Sequence, residues 1–200
     1  MSDQESLLTD VDRVLASTSA AKRLAMLRKI TDLLLTSGNV YTDEQVAIFD
    51  AVMERLTKGI EGKALVELSS RLAEMEGAPA ETISHLSSND DIAVSGPVLK
   101  AAPGLKDETL VDVAKTKSQL HLLAIASRAL INAVVTDVLV ERGDPAVKSK
   151  MLANANAHIS EMGFVRLIDE ASRDKAFANV IAKRDDVPAE LQPFLKLALG

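Results

Sequence analysis

Five apolar side chains stand 27 residues apart in this 200-residue chain: Leu86, Val113, Val140, Leu167 and Phe194. A second ladder runs beside the first through Leu72, Leu99, Ala126, Ala153 and Val180. A period of this size marks stacked supersecondary units, each too small to bury its own hydrophobic face and each covered by its neighbour. The pattern predicts an all-α chain folded as a right-handed α-solenoid of short helix-pair repeats.

The punctuation between the ladders is helical. From residue 63 onward, first helices of the pairs are expected near Ala64, Asp91, Ser118, Asp144 and Ser172, and second helices near Pro79, Asp107, Asn132, Ser160 and Pro188. Asp91, Asp107, Ser118, Asp144, Ser160 and Ser172 can each accept hydrogen bonds from unpaired amides of a first helical turn. Pro145 and Pro188 sit where a missing N–H costs nothing. Gly77, Gly104 and Gly143 fall at the breaks, where left-handed C-caps are wanted. Pro97 lies inside the helix opened by Asp91, where it removes one ladder bond and favours a kink. A closer echo exists at double the period: Asp91-Ile-Ala-Val resembles Asp144-Pro-Ala-Val, and Ala124-Ile-Ala-Ser-Arg128 resembles Val180-Ile-Ala-Lys-Arg184. Asp137 breaks the pattern, since it occupies a slot held elsewhere by Ile83, Leu110, Phe164 and Leu191. Either its helix rotates to present Val138 inward, or Asp137 faces a partner.

The first 62 residues read as a helical cap outside the strict period. One helix is expected over about Glu5 to Ala16. A second runs from Ala20 to Leu35, with Leu24, Leu27, Ile30 and Leu34 on one face. Ser37-Gly38-Asn39 breaks the chain, and Thr42-Asp43-Glu44-Gln45 is a capping box for a third helix ending near Lys58. Gly59 and Gly62 punctuate its end. The cap (1–62) and about five helix pairs (63–200) are expected to form one continuous domain, and the apolar faces of the cap are compatible with a homodimer.

Composition narrows the function classes. Aromatic residues make up only 2% of the chain, so small aliphatics must fill the core. Cysteine is absent, which excludes disulfides, thiolate catalysis and Cys-based zinc sites. A formal charge of −6 argues against nucleic acid or an anionic membrane as partner. The opening Met-Ser-Asp-Gln-Glu-Ser lacks the order of a secretory signal. The most apolar stretch, Leu120 to Val140, carries Arg128 and Asp137 and falls short of a membrane span, so a cytoplasmic address is expected.

Three blocks together carry a resemblance: Asp91 through Leu99, Ala124 through Arg128, and Asn154-Ala-Asn-Ala-His-Ile-Ser160 followed by Arg184-Asp-Asp-Val-Pro188. On these the chain resembles an uncharacterised, mostly alphaproteobacterial domain-of-unknown-function family, and more generally HEAT-like helical-repeat proteins. The resemblance implies a helical repeat fold in a bacterial protein and brings no catalytic residues. HEAT-like repeats are usually longer than 27 residues, a departure that leaves the subclass open.

The remaining polar signals are weighed singly. His85, His121 and His158 fall at different phases of the repeat and would not converge, so no metal site is assigned. Lys22, Arg23, Arg28 and Lys29 lie on the solvated side of an amphipathic helix, and Asp32 follows them. Asp90-Asp91 and Asp185-Asp186 lie at turns, where Asp caps helices. Arg128 and Arg184 close equivalent helices; they can bond free carbonyls or a turn carboxylate such as Asp185 or Asp186, or grip a partner's carboxylate. Asn154 and Asn156, near the end of an apolar helix, suit Asx turns or recognition.

There is no Gly-rich phosphate loop, no nucleophile elbow and no nucleophile–base signature. No catalytic residue and no cofactor is assigned. The expected function is a non-catalytic scaffold or adaptor holding a protein or peptide partner, with Arg128, Asp137, Asn154 and Arg184 as candidate contacts. The alternative is a nucleic-acid-binding or DNA-repair enzyme on a HEAT-like scaffold, which the missing Trp and the negative charge disfavour.

Overall fold

The computed structural model describes residues 13–14, 19–36, 41–58, 60 and 62–200. Two compact units divide the chain, Met1–Leu105 and Lys106–Gly200. The first holds α1 (Ala20–Thr36), α2 (Asp43–Thr57), α3 (Gly62–Leu72), α4 (Ala80–Ser87) and α5 (Ile92–Ala101). The second holds α6 (Asp107–Thr116), α7 (Gln119–Ala126), α8 (Ala133–Arg142), α9 (Pro145–Leu152), α10 (Glu161–Ala171), α11 (Lys175–Ile181) and α12 (Gln192–Leu199), with a 3₁₀ turn at Ala189–Leu191. Among the described residues the fold is all-helical, with one isolated parallel bridge between Ile131 and Ala157. None of the helices there is long and apolar enough to cross a membrane.

Packing within the second unit follows alternate helices. α6 packs on α8, α8 on α10 and α10 on α12, while α7 packs on α9 and α9 on α11. α6 also meets α7, α7 meets α8, α8 meets α9, α10 meets α11 and α11 meets α12, so the unit has two layers with the apolar side chains between them. In the first unit α1 packs on α2, α2 on α4, and α3 on α5.

The ladders hold for most of their length. Leu86, Val113, Val140 and Leu167 are all buried, but Phe194 is 59% exposed and Leu195 turns inward instead. On the second ladder Leu72, Leu99 and Ala126 are buried, whereas Ala153 is exposed and Val180 half-buried. Leu152 and Ile181 take their places in the core. The slips coincide with turns that differ from the period. Ser172 closes α10, and Asp174 opens α11 by accepting from the Ala176 and Phe177 amides at 2.9 and 3.1 Å. Pro188 then starts a 3₁₀ turn that delays α12.

Five helix starts, those of α2, α5, α9, α10 and α11, are capped by the side chain of the residue before them. The Gln45 amide donates to the Thr42 hydroxyl while the Thr42 amide donates to the Gln45 side chain, at 3.3 and 3.0 Å. Asp91, Asp144 and Ser160 each accept a 2.9 Å bond from an early amide of their helix. Asp107 and Ser118 make no such cap: Asp107 is the first residue of α6, and the Ser118 hydroxyl stands 2.8 Å from Nδ1 of the buried His121. Pro97 lies inside α5, where it cannot donate to the Ala93 carbonyl.

The glycines divide by cause. Gly77 has φ +69°, but it lies in a turn five residues past the end of α3 and does not serve as its C-cap. Gly104 and Gly143 do not reach positive φ, so the expectation of left-handed C-caps is corrected for all three. Gly143 is needed for space, because a Cβ there would collide with the Leu139 carbonyl and come within 2.8 Å of Val147. Gly62 opens α3, while Gly59, the 37–39 break and most of the first expected helix lie outside the described residues.

Two connections across the first unit come from residues distant in sequence. Asp50 on α2 accepts from the Glu81 and Thr82 amides and the Thr82 hydroxyl at 2.8, 2.8 and 2.6 Å. It thereby caps α4, whose own N-cap residue, Pro79, makes no side-chain cap. The basic face of α1 is engaged with α3: Arg28 bonds both Glu67 oxygens, the shortest at 2.6 Å, and Asp32 pairs with Arg71 at 2.5 Å.

Candidate functional site

The four candidate contact residues lie in the second unit, and each has polar atoms engaged with the chain itself. Arg184 follows α11 with its side chain only 5% exposed. It donates to the carbonyls of Leu152, Asn154 and Ala157 at 3.1, 2.8 and 2.8 Å, closing off the end of α9 and the loop beyond it. Its remaining edge makes a two-point pair with Asp186, at 2.7 and 2.6 Å. The free-carbonyl and turn-carboxylate alternatives are therefore both realised here, and together they use every N–H of the guanidinium.

Asn154 joins the same network. Its side-chain amide donates to the Arg128 carbonyl at 2.8 Å, and its side-chain oxygen accepts from the Asn156 amide at 3.0 Å in an Asx turn. Arg128 supplies that carbonyl, and its own guanidinium is half-buried. Burial pushes the Arg128 pKa down, and the Asp107 carboxylate opposes the shift.

Asp137 stands apart from this group. It accepts the Ser160 hydroxyl at 2.6 Å, and Ser160 in turn caps α10. Val138 beside it is buried, so the helix does rotate at this slot. Asp137, Asn154 and Arg184 are thus each hydrogen-bonded within the fold. Similar rungs join other helices about one repeat apart: Asn132 donates to Asp107 at 2.6 Å, and Gln119 bonds Arg142 and Asp144 at 2.8 and 2.9 Å.

A surface with open apolar capacity lies elsewhere, between α10 and α12. Val165, Ile168, Asp169 and Ser172 form one wall of a groove of about 550 Å³, and Leu191, Phe194, Leu197 and Ala198 form the other. Phe194 is 59% exposed, Leu197 79% and Val165 39%, with Met162 of α10 also 62% exposed. Asp169 is exposed, and its carboxylate has no partner among the described residues. A second depression, of about 620 Å³, lies beside Arg184 and is lined partly by Lys183, Asp185 and Asp186. No group of three or more His, Asp or Glu side chains able to hold a metal ion occurs among the described residues.

Periodicity alone had assigned Phe194 to the core. The signal that points outward is in α12 itself: Gln-Pro-Phe-Leu-Lys-Leu-Ala-Leu is apolar around more of its circumference than one buried stripe needs.

A family model described as "Uncharacterised protein conserved in bacteria (DUF2336)" matches residues 94–194. The chain belongs to this family. No curated protein and no solved structure matches it. The DUF2336 span takes in the Arg184 network and reaches Phe194, while Leu197 falls just beyond it.

Proposed function

We propose that this DUF2336 chain is a non-catalytic helical-repeat scaffold that binds a protein partner, in the cytoplasm of a bacterial cell. Its stacked pairs are read as a right-handed solenoid of short HEAT-like repeats, a form that offers extended surfaces to other proteins. The observation that carries the reading is the groove between α10 and α12, where Val165, Phe194 and Leu197 keep apolar surface in water. Scattered exposed apolar residues are ordinary, but several lining one concavity form the kind of patch that marks interaction sites.

The test is a benzophenone photocrosslinker placed at Leu197 in the full chain, expressed in the source cells. One dominant protein adduct is expected, lost when Phe194→Asp is added. Absence of any adduct across growth conditions rejects the reading.

A further inference from the structure

We propose that the occupant of the α10–α12 groove is an amphipathic helix of a partner protein, carrying a Lys or Arg where it passes Asp169. The proposal rests on the groove being a docking surface, and it adds the shape and charge of what docks.

The shape follows from continuity with interfaces inside the second unit. α8 seats on α6, α10 on α8 and α12 on α10, each through short apolar stripes of one helix laid against the next. α11 in turn lies against both α10 and α12, and the groove is a second valley between the same two helices, walled by Val165 on one side and by Phe194 and Leu197 on the other. What fits such a face is another short helix with apolar residues three and four apart.

The charge follows from a pairing that appears at one junction and is missing at the next. Glu141, the ninth residue of α8, stands 3.8 Å from Arg166 of α10. Asp169 is the ninth residue of α10, 28 positions after Glu141. The position 28 after Arg166 holds Phe194, so α12 brings no cation to Asp169. The groove therefore presents a carboxylate beside an apolar trough, and a helix with a basic flank answers both.

The probes are two capped helical peptides sharing one leucine stripe, one flanked by lysines and the other by glutamates, titrated into the full-length protein. The lysine peptide is expected to bind about tenfold more tightly than the glutamate peptide, a preference that weakens with salt. Asp169→Lys should reverse the order. Leu197→Asp should weaken the lysine peptide at least about tenfold, and Val165→Asp on the opposite wall should do the same. Circular dichroism of each variant checks the fold, and Leu197 is exposed enough that its replacement leaves the core alone. Binding indifferent to both wall substitutions, or a charge preference that Asp169→Lys fails to move, overturns the inference. Concentration-dependent dimerisation abolished by Leu197→Asp overturns it in favour of a second copy. If a crosslinked partner is found at Leu197 while neither peptide binds, the helix inference falls and the docking reading stands. If neither appears, both fall.

Discussion

The Asp50 carboxylate receives three hydrogen bonds from the first turn of α4 while standing on α2, and it is only 7% exposed. Local sequence offers α4 nothing equivalent, because Pro79 has neither a capping oxygen nor an N–H. Replacing Asp50 with Ala leaves two amides and a hydroxyl under-satisfied near an acidic helix start. A loss of about 2–3 kcal/mol in unfolding free energy is expected, by urea denaturation. Asp50→Asn keeps one acceptor and should lose less. Arg184 shows the same logic at the other end of a helix: its carbonyl partners at Leu152, Asn154 and Ala157 lie about one repeat upstream. The Asp50 assignment was not legible from spacing, since nothing local tells Asp50 from any other helical Asp. For Arg184, by contrast, the turn at Asp185-Asp186 had already suggested a carboxylate partner.

At the scale of elements, turns and helix contacts carry the specificity. Gly143→Ala forces a Cβ against the Leu139 carbonyl and Val147, so α8 and α9 must separate. A loss of about 1–3 kcal/mol is expected. Gly62→Ala meets nothing within 4 Å at the start of α3, and it should be neutral or stabilise by up to about 1 kcal/mol. Thermal melts of the two variants make the comparison. α1 and α3 are further tied by Arg28 and Glu67, whose hydrogen bonds hold the Glu67 carboxyl below its ordinary range. A depressed folded-state value means the pair contributes above the unfolded value of about 4.3, and the contribution is lost as pH falls through the lower folded one. Glu67→Gln should therefore be slightly less stable than the parent at pH 7, with the difference vanishing in acid. Urea midpoints measured at both pH values test the direction. Both groups are exposed, so the effect is small.

Across the whole molecule, the 27-residue ladders separate residues that hold each unit together from residues that face outward. Leu167 is fully buried, and Leu167→Ala should cost about 2–5 kcal/mol. Phe194 occupies the same ladder but is mostly in water, so Phe194→Ala should change unfolding free energy by less than about 0.5 kcal/mol. Guanidinium unfolding of the two variants distinguishes a residue spent on the core from one free for a partner. Equal losses at both positions would show Phe194 to be covered in solution.

Helical class, the positions of most helix starts and four of five rungs of the main ladder were set by the sequence itself. They depend on short-range physics: apolar spacing, capping side chains and prolines act within a few residues of their own position. Tertiary structure alone decided the rest. It determined that Asp137, Asn154 and Arg184 bond inward, that Asp50 caps a helix it does not belong to, and that Asp169 and Phe194 border an open groove. Those outcomes turn on which helix lies against which, and a hydrogen-bond partner 23 to 32 residues away leaves no mark on the residues around the donor.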